Sequence, residues 1–179
     1  MSIIAIFGIE EQLGALVAGE LSKVAERRLR IFVSGLPTNP ESERIIQQLK
    51  TQTTVEFVNL SANAPDLKDV DACFLVTSTD FKENFCKEKE VAFGKQVANA
   101  CKTHQVKYLV YLTSASPSKV LGIAARHMDS KAEIEEHIRR CGIPTTFIML
   151  PTFYESLFDI FKPKKNAENS YRLGEYSRV

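Results

Sequence analysis

Six short apolar runs, each long enough for one strand, are set apart by helical or turn-rich segments, and this spacing constrains the chain more than any other feature. The runs are Ile3 to Phe7, Leu29 to Ser34, Val55 to Leu60, Ala72 to Val76, Val106 to Leu112 and Thr145 to Leu150. Several of them, Ala72 to Val76 above all, are continuously apolar and do not alternate. Strands of a parallel sheet read this way, because helices bury them on both faces. Between the runs, Leu13, Leu16, Val17, Leu21 and Val24 recur at helical spacing. Glu41 to about Lys50 shows Ile45, Ile46 and Leu49 on one face. Glu88 to His104 offers Val91, Ala98 and Cys101 as inward positions, and Ser130 to Arg140 offers Ile134 and Ile138. Gly35, Pro37 and Pro40 break the chain after the second run. The alternation predicts an α/β fold: a doubly wound parallel sheet of about six strands with helices on both faces.

Composition narrows the classes of function. The chain has 179 residues, 44% of them hydrophobic, enough for a proper core. A net charge of +1 gives no electrostatic footprint for DNA or RNA. The longest apolar stretches are strand-sized, so no membrane span is expected. Cys73, Cys86, Cys101 and Cys141 show no C-x-x-C spacing, and His104, His127 and His137 are not clustered with them. No metal site is predicted, and the cysteines read as small core residues of a reducing compartment. The chain goes from Met1 directly into a strand without a basic leader, so the cytoplasm is the expected location, with the nucleus as a second option. Residues 1–160 read as one domain. Residues 161–179 read as a polar loop, containing the basic cluster Lys162, Lys164 and Lys165, and then a stretch of weak strand character.

The first turn carries the sharpest signal. Gly8 follows the first strand and Gly14 opens the first helix. A strand–turn–helix that holds a pyrophosphate needs glycines here, so that the backbone approaches the ligand and aims N–H groups at it. Glu10 and Glu11 stand in that space. Two glycines alone also fit a plain strand-to-helix turn. Acids in the first turn of a helix are favoured by its dipole, by roughly 0.3–1 kcal/mol. Glu10 and Glu11 are therefore expected at the start of the first helix, as built-in anions where a cofactor's anion would sit. A carboxylate about 4 Å from a phosphate costs on the order of 4 kcal/mol at an effective dielectric of about 20. That takes a micromolar site to roughly millimolar.

Downstream segments give these residues a context. Arg126 to Glu136 (Arg-His-Met-Asp-Ser-Lys-Ala-Glu-Ile-Glu-Glu) and Ile143 to Ser156 (Ile-Pro-Thr-Thr-Phe-Ile-Met-Leu-Pro-Thr-Phe-Tyr-Glu-Ser) carry the most specific pattern, supported by Phe74 to Thr77 and Tyr108 to Thr113. In this order and spacing, from Ile3 to about Leu157, the chain resembles the NmrA-like family, an atypical branch of the short-chain dehydrogenase/reductase group. The resemblance implies a Rossmann-like domain that binds NADP(H), with a smaller C-terminal part completing a cleft. It implies that Gly8 and Gly14 are the outer glycines of a Gly-x-x-Gly-x-x-Gly turn and that Glu11 replaces the middle one. Gly35 falls where the family often has an arginine for the 2′-phosphate, and Leu60 and Ser61 fall where an aspartate commonly sits near the adenine. Thr77 is kept at the end of the fourth strand. Lys131 matches the lysine that reaches the nicotinamide ribose. Phe153, Tyr154 and Glu155 match the stretch lining the nicotinamide end, with Ser156 in place of an asparagine.

The group's catalytic tyrosine, four residues before the lysine, is His127 here. Thr113, Ser114 and Ser116 follow the fifth strand near the group's serine, where they also serve to cap the next segment. Family members are reductases or redox-sensing regulators, and they usually continue further, which implies a shortened C-terminal part. The changes at Glu11, Gly35 and His127 together favour a non-catalytic module: no catalytic residue is assigned, NADP(H) binding is weakened or lost, and a regulatory protein is the expected partner, with a homodimer as a second arrangement. Exposed apolar surface around Phe153 to Phe161 would serve such a partner. An NAD(P)H-dependent oxidoreductase or competent NADPH sensor is the alternative.

Overall fold

The computed structural model describes residues 1–60, 64–79, 87–151, 162–165 and 170–172. The chain divides into two compact units, Met1–Met149 and Leu150–Val179. In the first unit the elements run β1 (Ser2–Phe7), α1 (Gln12–Leu21), β2 (Arg27–Val33), α2 (Pro40–Leu49), β3 (Val55–Asn59), β4 (Ala72–Leu75), α3 (Lys87–Thr103), β5 (Tyr108–Thr113), α4 (Pro117–Leu121), α5 (Arg126–Cys141) and β6 (Thr145–Met149). All six predicted strands are present. They form one sheet in the order β3-β2-β1-β4-β5-β6, with every neighbouring pair parallel. This is the doubly wound Rossmann-like arrangement. Its winding reverses between β1 and β4, and the crevice at the carboxyl ends of those strands is where such sheets place ligands.

Continuous apolar strands feed two cores. Ala5 and Phe7 join Phe32, Leu75, Val97, Cys101, Leu109 and Tyr111 on the face covered by α3 and α5. Ile6 joins Leu29, Ile31 and Phe74 on the opposite face, against Ala15 and Ala18 of α1 and Ile45, Ile46 and Leu49 of α2. Phe7 and Phe32 stack with ring centroids 4.5 Å apart. Cys73 and Cys101 are buried and Cys141 is half-buried. Burial pushes the Cys73 thiol well up, so it stays protonated inside the core. α2 begins with Asn39, whose side chain accepts from the Ser42 N–H at 2.9 Å, and with Pro40 in its first turn.

Besides α5, which starts at Arg126 and not at Ser130, two segments differ from the sequence reading. α4 is an additional short helix, capped by Ser116, whose hydroxyl accepts from the Lys119 N–H. In the second unit, Lys164–Lys165, read as loop, form β7, which pairs antiparallel with β8 (Tyr171–Arg172). Cys86, Ser61 and the aromatic stretch Phe153 to Phe161 lie outside the described residues.

Candidate functional site

The turn after β1 is built around two close approaches. Gly8 has φ +82°, and a Cβ there would overlap the carbonyl oxygen of Val76. A Cβ on Gly14 would overlap the carbonyl oxygen of Gly8. Both glycines are thus required by the packing of the turn itself, whatever it binds. Glu11 is the residue before α1, in extended conformation, with no capping bond from its side chain. Its N–H donates to Gly8 O at 3.2 Å, and its carboxylate accepts from Ser78 Oγ at 2.6 Å. Glu11 therefore crosses from the β1 turn to the segment after β4.

Glu10 departs from the expected place. α1 has no acid in its first turn. The Glu10 side chain turns toward the exit of β2, because donors are available there. Its Oε1 accepts from Ser34 N at 2.5 Å, Gly35 N at 3.0 Å and Ser34 Oγ at 3.1 Å. Its carbonyl oxygen accepts from Thr38 N at 3.0 Å and Thr38 Oγ1 at 2.9 Å. The built-in anion exists, but it sits on the β2 loop and not at the helix dipole.

Beside β4, a buried acid organises a third group. Glu90, on α3, is 5% exposed. Its Oε1 accepts from Thr77 Oγ1 and from Lys131 Nζ, each at 2.7 Å. Its Oε2 accepts from Ser130 Oγ at 2.7 Å and Thr79 Oγ1 at 3.0 Å. Lys131 also donates to the Thr77 carbonyl at 2.6 Å. Tyr111 donates from its hydroxyl to the carbonyl of Lys131 at 3.3 Å, and burial raises its phenol well above the ordinary value. A cleft of about 400 Å³ opens at this end of the sheet, lined by Gly8, Ser34, Val76, Ser78, Lys89, Glu90 and Phe93. Its walls come from the exits of β1, β2 and β4 and from α3, which is the crevice that the reversal of winding creates.

The model of the NmrA-like family matches residues 1–176. The chain belongs to the NmrA-like family. An NmrA-like family domain-containing protein of Dictyostelium discoideum is 26% identical over 178 residues, covering 93% of this chain and 56% of that protein. The crystal structure of NmrA, described as a negative transcriptional regulator, superposes with a TM-score of 0.68 at 19% identity over 96% of this chain and 52% of its own. A Citrobacter sp. triphenylmethane reductase complexed with NADP(H) gives a TM-score of 0.61 at 19% identity, covering 88% of this chain and 52% of that one. The Bordetella bronchiseptica enzyme WbmH in complex with NAD+ gives 0.67 at 18% identity over 85% and 56%. This NmrA-like chain spans about half the length of the relatives it matches.

Against an NADP(H) ligand, the residues divide. Gly8 and Gly14 keep the close backbone turn of a dinucleotide scaffold, and the cleft stands at the switch point. At the β2 exit, the N–H groups of Ser34 and Gly35 already donate to Glu10. A Cβ on Gly35 meets nothing within 4 Å, so space for a side chain exists there. Thr77 and Lys131 are brought together, Lys131 Nζ donating to the Thr77 carbonyl and both side chains donating to Glu90. His127 is exposed at the start of α5. Phe153, Tyr154 and Glu155 lie outside the described residues. Among the described residues, no group of three or more His, Cys, Asp or Glu is placed to hold a metal ion, and no helix is long and apolar enough to cross a membrane.

Sequence reasoning missed Glu90. Its signal was present: Glu90, Val91, Gly94, Val97, Ala98 and Cys101 form one buried stripe of α3, and an acid on an apolar stripe needs a partner.

Proposed function

We propose that this NmrA-like chain is a non-catalytic, regulatory or redox-sensing interaction module with weakened NADP(H) binding. The observation that carries the reading is the engagement of Lys131. The cation that would meet the nicotinamide ribose donates to Glu90 Oε1 at 2.7 Å and to the Thr77 carbonyl at 2.6 Å. A lysine paired with a buried carboxylate offers little charge to a ligand. His127 stands where a tyrosine acid would be needed, and Glu11 reaches across the turn where a glycine would leave room. NADP(H), when bound, would supply hydride chemistry or a redox signal. Gly8, Gly14, Thr77 and Lys131 are the residues of this chain that would hold it. The regulatory role draws support from the likeness to NmrA, and a protein partner is the proposed target, in the cytoplasm or nucleus.

Calorimetric titration of NADPH tests this, with Glu11→Gly measured alongside. The expected result is binding no tighter than roughly millimolar for the unmodified protein and a gain of about tenfold or more in the variant. Low-micromolar NADPH binding by the unmodified protein would overturn the reading. The oxidoreductase alternative keeps one specific support, the retained pair of Thr77 and Lys131 beside the cleft.

A further inference from the structure

Among the described residues two acids are buried, Glu90 and Glu10. Both oxygens of Glu90 accept hydrogen bonds. Glu10 is different. It is 4% exposed, its Oε1 takes three donors, and its buried Oε2 accepts none.

We infer that Glu10 is a specificity-determining residue that turns the β2 exit from a phosphate seat into a ribose seat, so that the cleft prefers a dinucleotide without a 2′-phosphate, of the NAD(H) type, over NADP(H). The inference rests on the reading above only in taking a dinucleotide as the ligand of the cleft.

The chemistry of the seat carries it. Ser34 lines the cleft and gives both its N–H and its hydroxyl to Glu10, as Gly35 gives its N–H. A 2′-phosphate brings only acceptors and negative charge. It meets no free donor at Ser34 N or Gly35 N, and a like charge behind them. The loop supplies no compensating cation: Gly35 to Glu43 contains no Lys or Arg, and Arg44 lines a different depression with Leu16, Gly19 and Gln48. Oε2 is itself buried, and the cleft is lined by Ser34 and not by Glu10, so Glu10 acts on a ligand through its charge. A ribose hydroxyl brings no charge for Glu10 to repel, and in dinucleotide folds an acid near this strand end accompanies an unphosphorylated ribose. Here the acid comes from the β1 turn. The two bonds from Thr38 to the Glu10 carbonyl fix the backbone that aims it.

The test is the ratio of NADH to NADPH affinity, read by calorimetry in the full chain and in the Glu11→Gly background, where both ligands are measurable. NADH is expected to bind at least about tenfold tighter than NADPH. Adding Glu10→Ser, which frees both N–H donors, should move the ratio about tenfold or more toward NADPH. Glu10→Gln keeps the shape and removes the charge, and should move it less in the same direction. Circular dichroism melts establish that each variant is folded. Where Glu10→Ser does not fold, Glu10→Gln decides by the sign of its shift. Equal or tighter NADPH binding with Glu10 intact, an unchanged ratio in a folded variant, or no binding of either dinucleotide by Glu11→Gly would each overturn the inference. Absolute NADPH affinity of the unmodified chain decides the functional reading and the ratio decides this one, so the two fail separately.

Discussion

A methyl group on Gly14 would overlap the Gly8 carbonyl, whereas one on Gly35 meets nothing within 4 Å. Gly14→Ala should therefore cost about 3 kcal/mol, since backbone cannot yield as a flexible side chain does. Gly35→Ala should stay within about 0.5 kcal/mol. Urea unfolding of the two variants checks this, and a Gly14→Ala protein as stable as the parent would show that the turn is looser than its packing. Lys131→Met leaves Glu90 buried without its cation, and should cost about 3 kcal/mol in the same assay. The two glycines of the first turn were legible in the sequence because only a few residue types fit that geometry. The partners of Glu10 were not. An acid beside a helix start reads as a dipole partner, and nothing local shows that Ser34 and Gly35, 24 and 25 residues away, aim three donors at it. Glu90 was legible in principle from its stripe, but its partners come from the β4 exit and α5, which only the folded sheet brings together.

At the scale of elements, apolar periodicity located what it could see. The strands and the long helices were placed to within a few residues, because each presents an apolar face to a core. α4 was missed because none of its residues is buried, so it has no face to read. α5 begins at Arg126 and not at Ser130 for a related reason: its first turn is polar. Asp129 accounts for the link between these two helices. Its carboxylate accepts from Ser116 Oγ and Ser118 Oγ, each at 2.7 Å, and from Ala125 N at 3.2 Å. The hydroxyls of Ser116 and Ser118 hold its pKa down to about 2. The folded value lies below the ordinary aspartate value of about 3.9. Between those two values the unfolded chain binds more protons than the folded one, so this group's contribution is complete above about pH 4 and is lost as pH falls through about 2. Carboxyl NMR should show Asp129 titrating near 2, and the Ser116→Ala, Ser118→Ala protein should return it toward about 3.9. A midpoint near the ordinary value in the parent would sink the assignment.

The whole molecule sets these local devices around one crevice. The order β3-β2-β1-β4-β5-β6 brings the exits of β1, β2 and β4 side by side, and each exit meets an acid of the chain itself: Glu11 at Ser78, Glu10 at Ser34 and Gly35, Glu90 at Thr77 and Lys131. Donors that would contact a phosphate or a ribose in a dinucleotide scaffold, at Ser34, Gly35 and Lys131, are thus engaged internally, so the fold needs no ligand to satisfy them. Stability should accordingly respond little to NADPH. A ligand that binds only the folded state stabilises it by RT ln(1 + [L]/Kd). At 1 mM NADPH that is about 0.4 kcal/mol for a millimolar site and about 4 kcal/mol for a micromolar one. A chain of 179 residues gains about 2–4 °C in Tm per kcal/mol. Thermal unfolding at 1 mM NADPH should therefore rise by no more than about 2 °C. A rise of about 8 °C or more would mean that the internal acids yield to the ligand, and that the crevice is a working NADP(H) site.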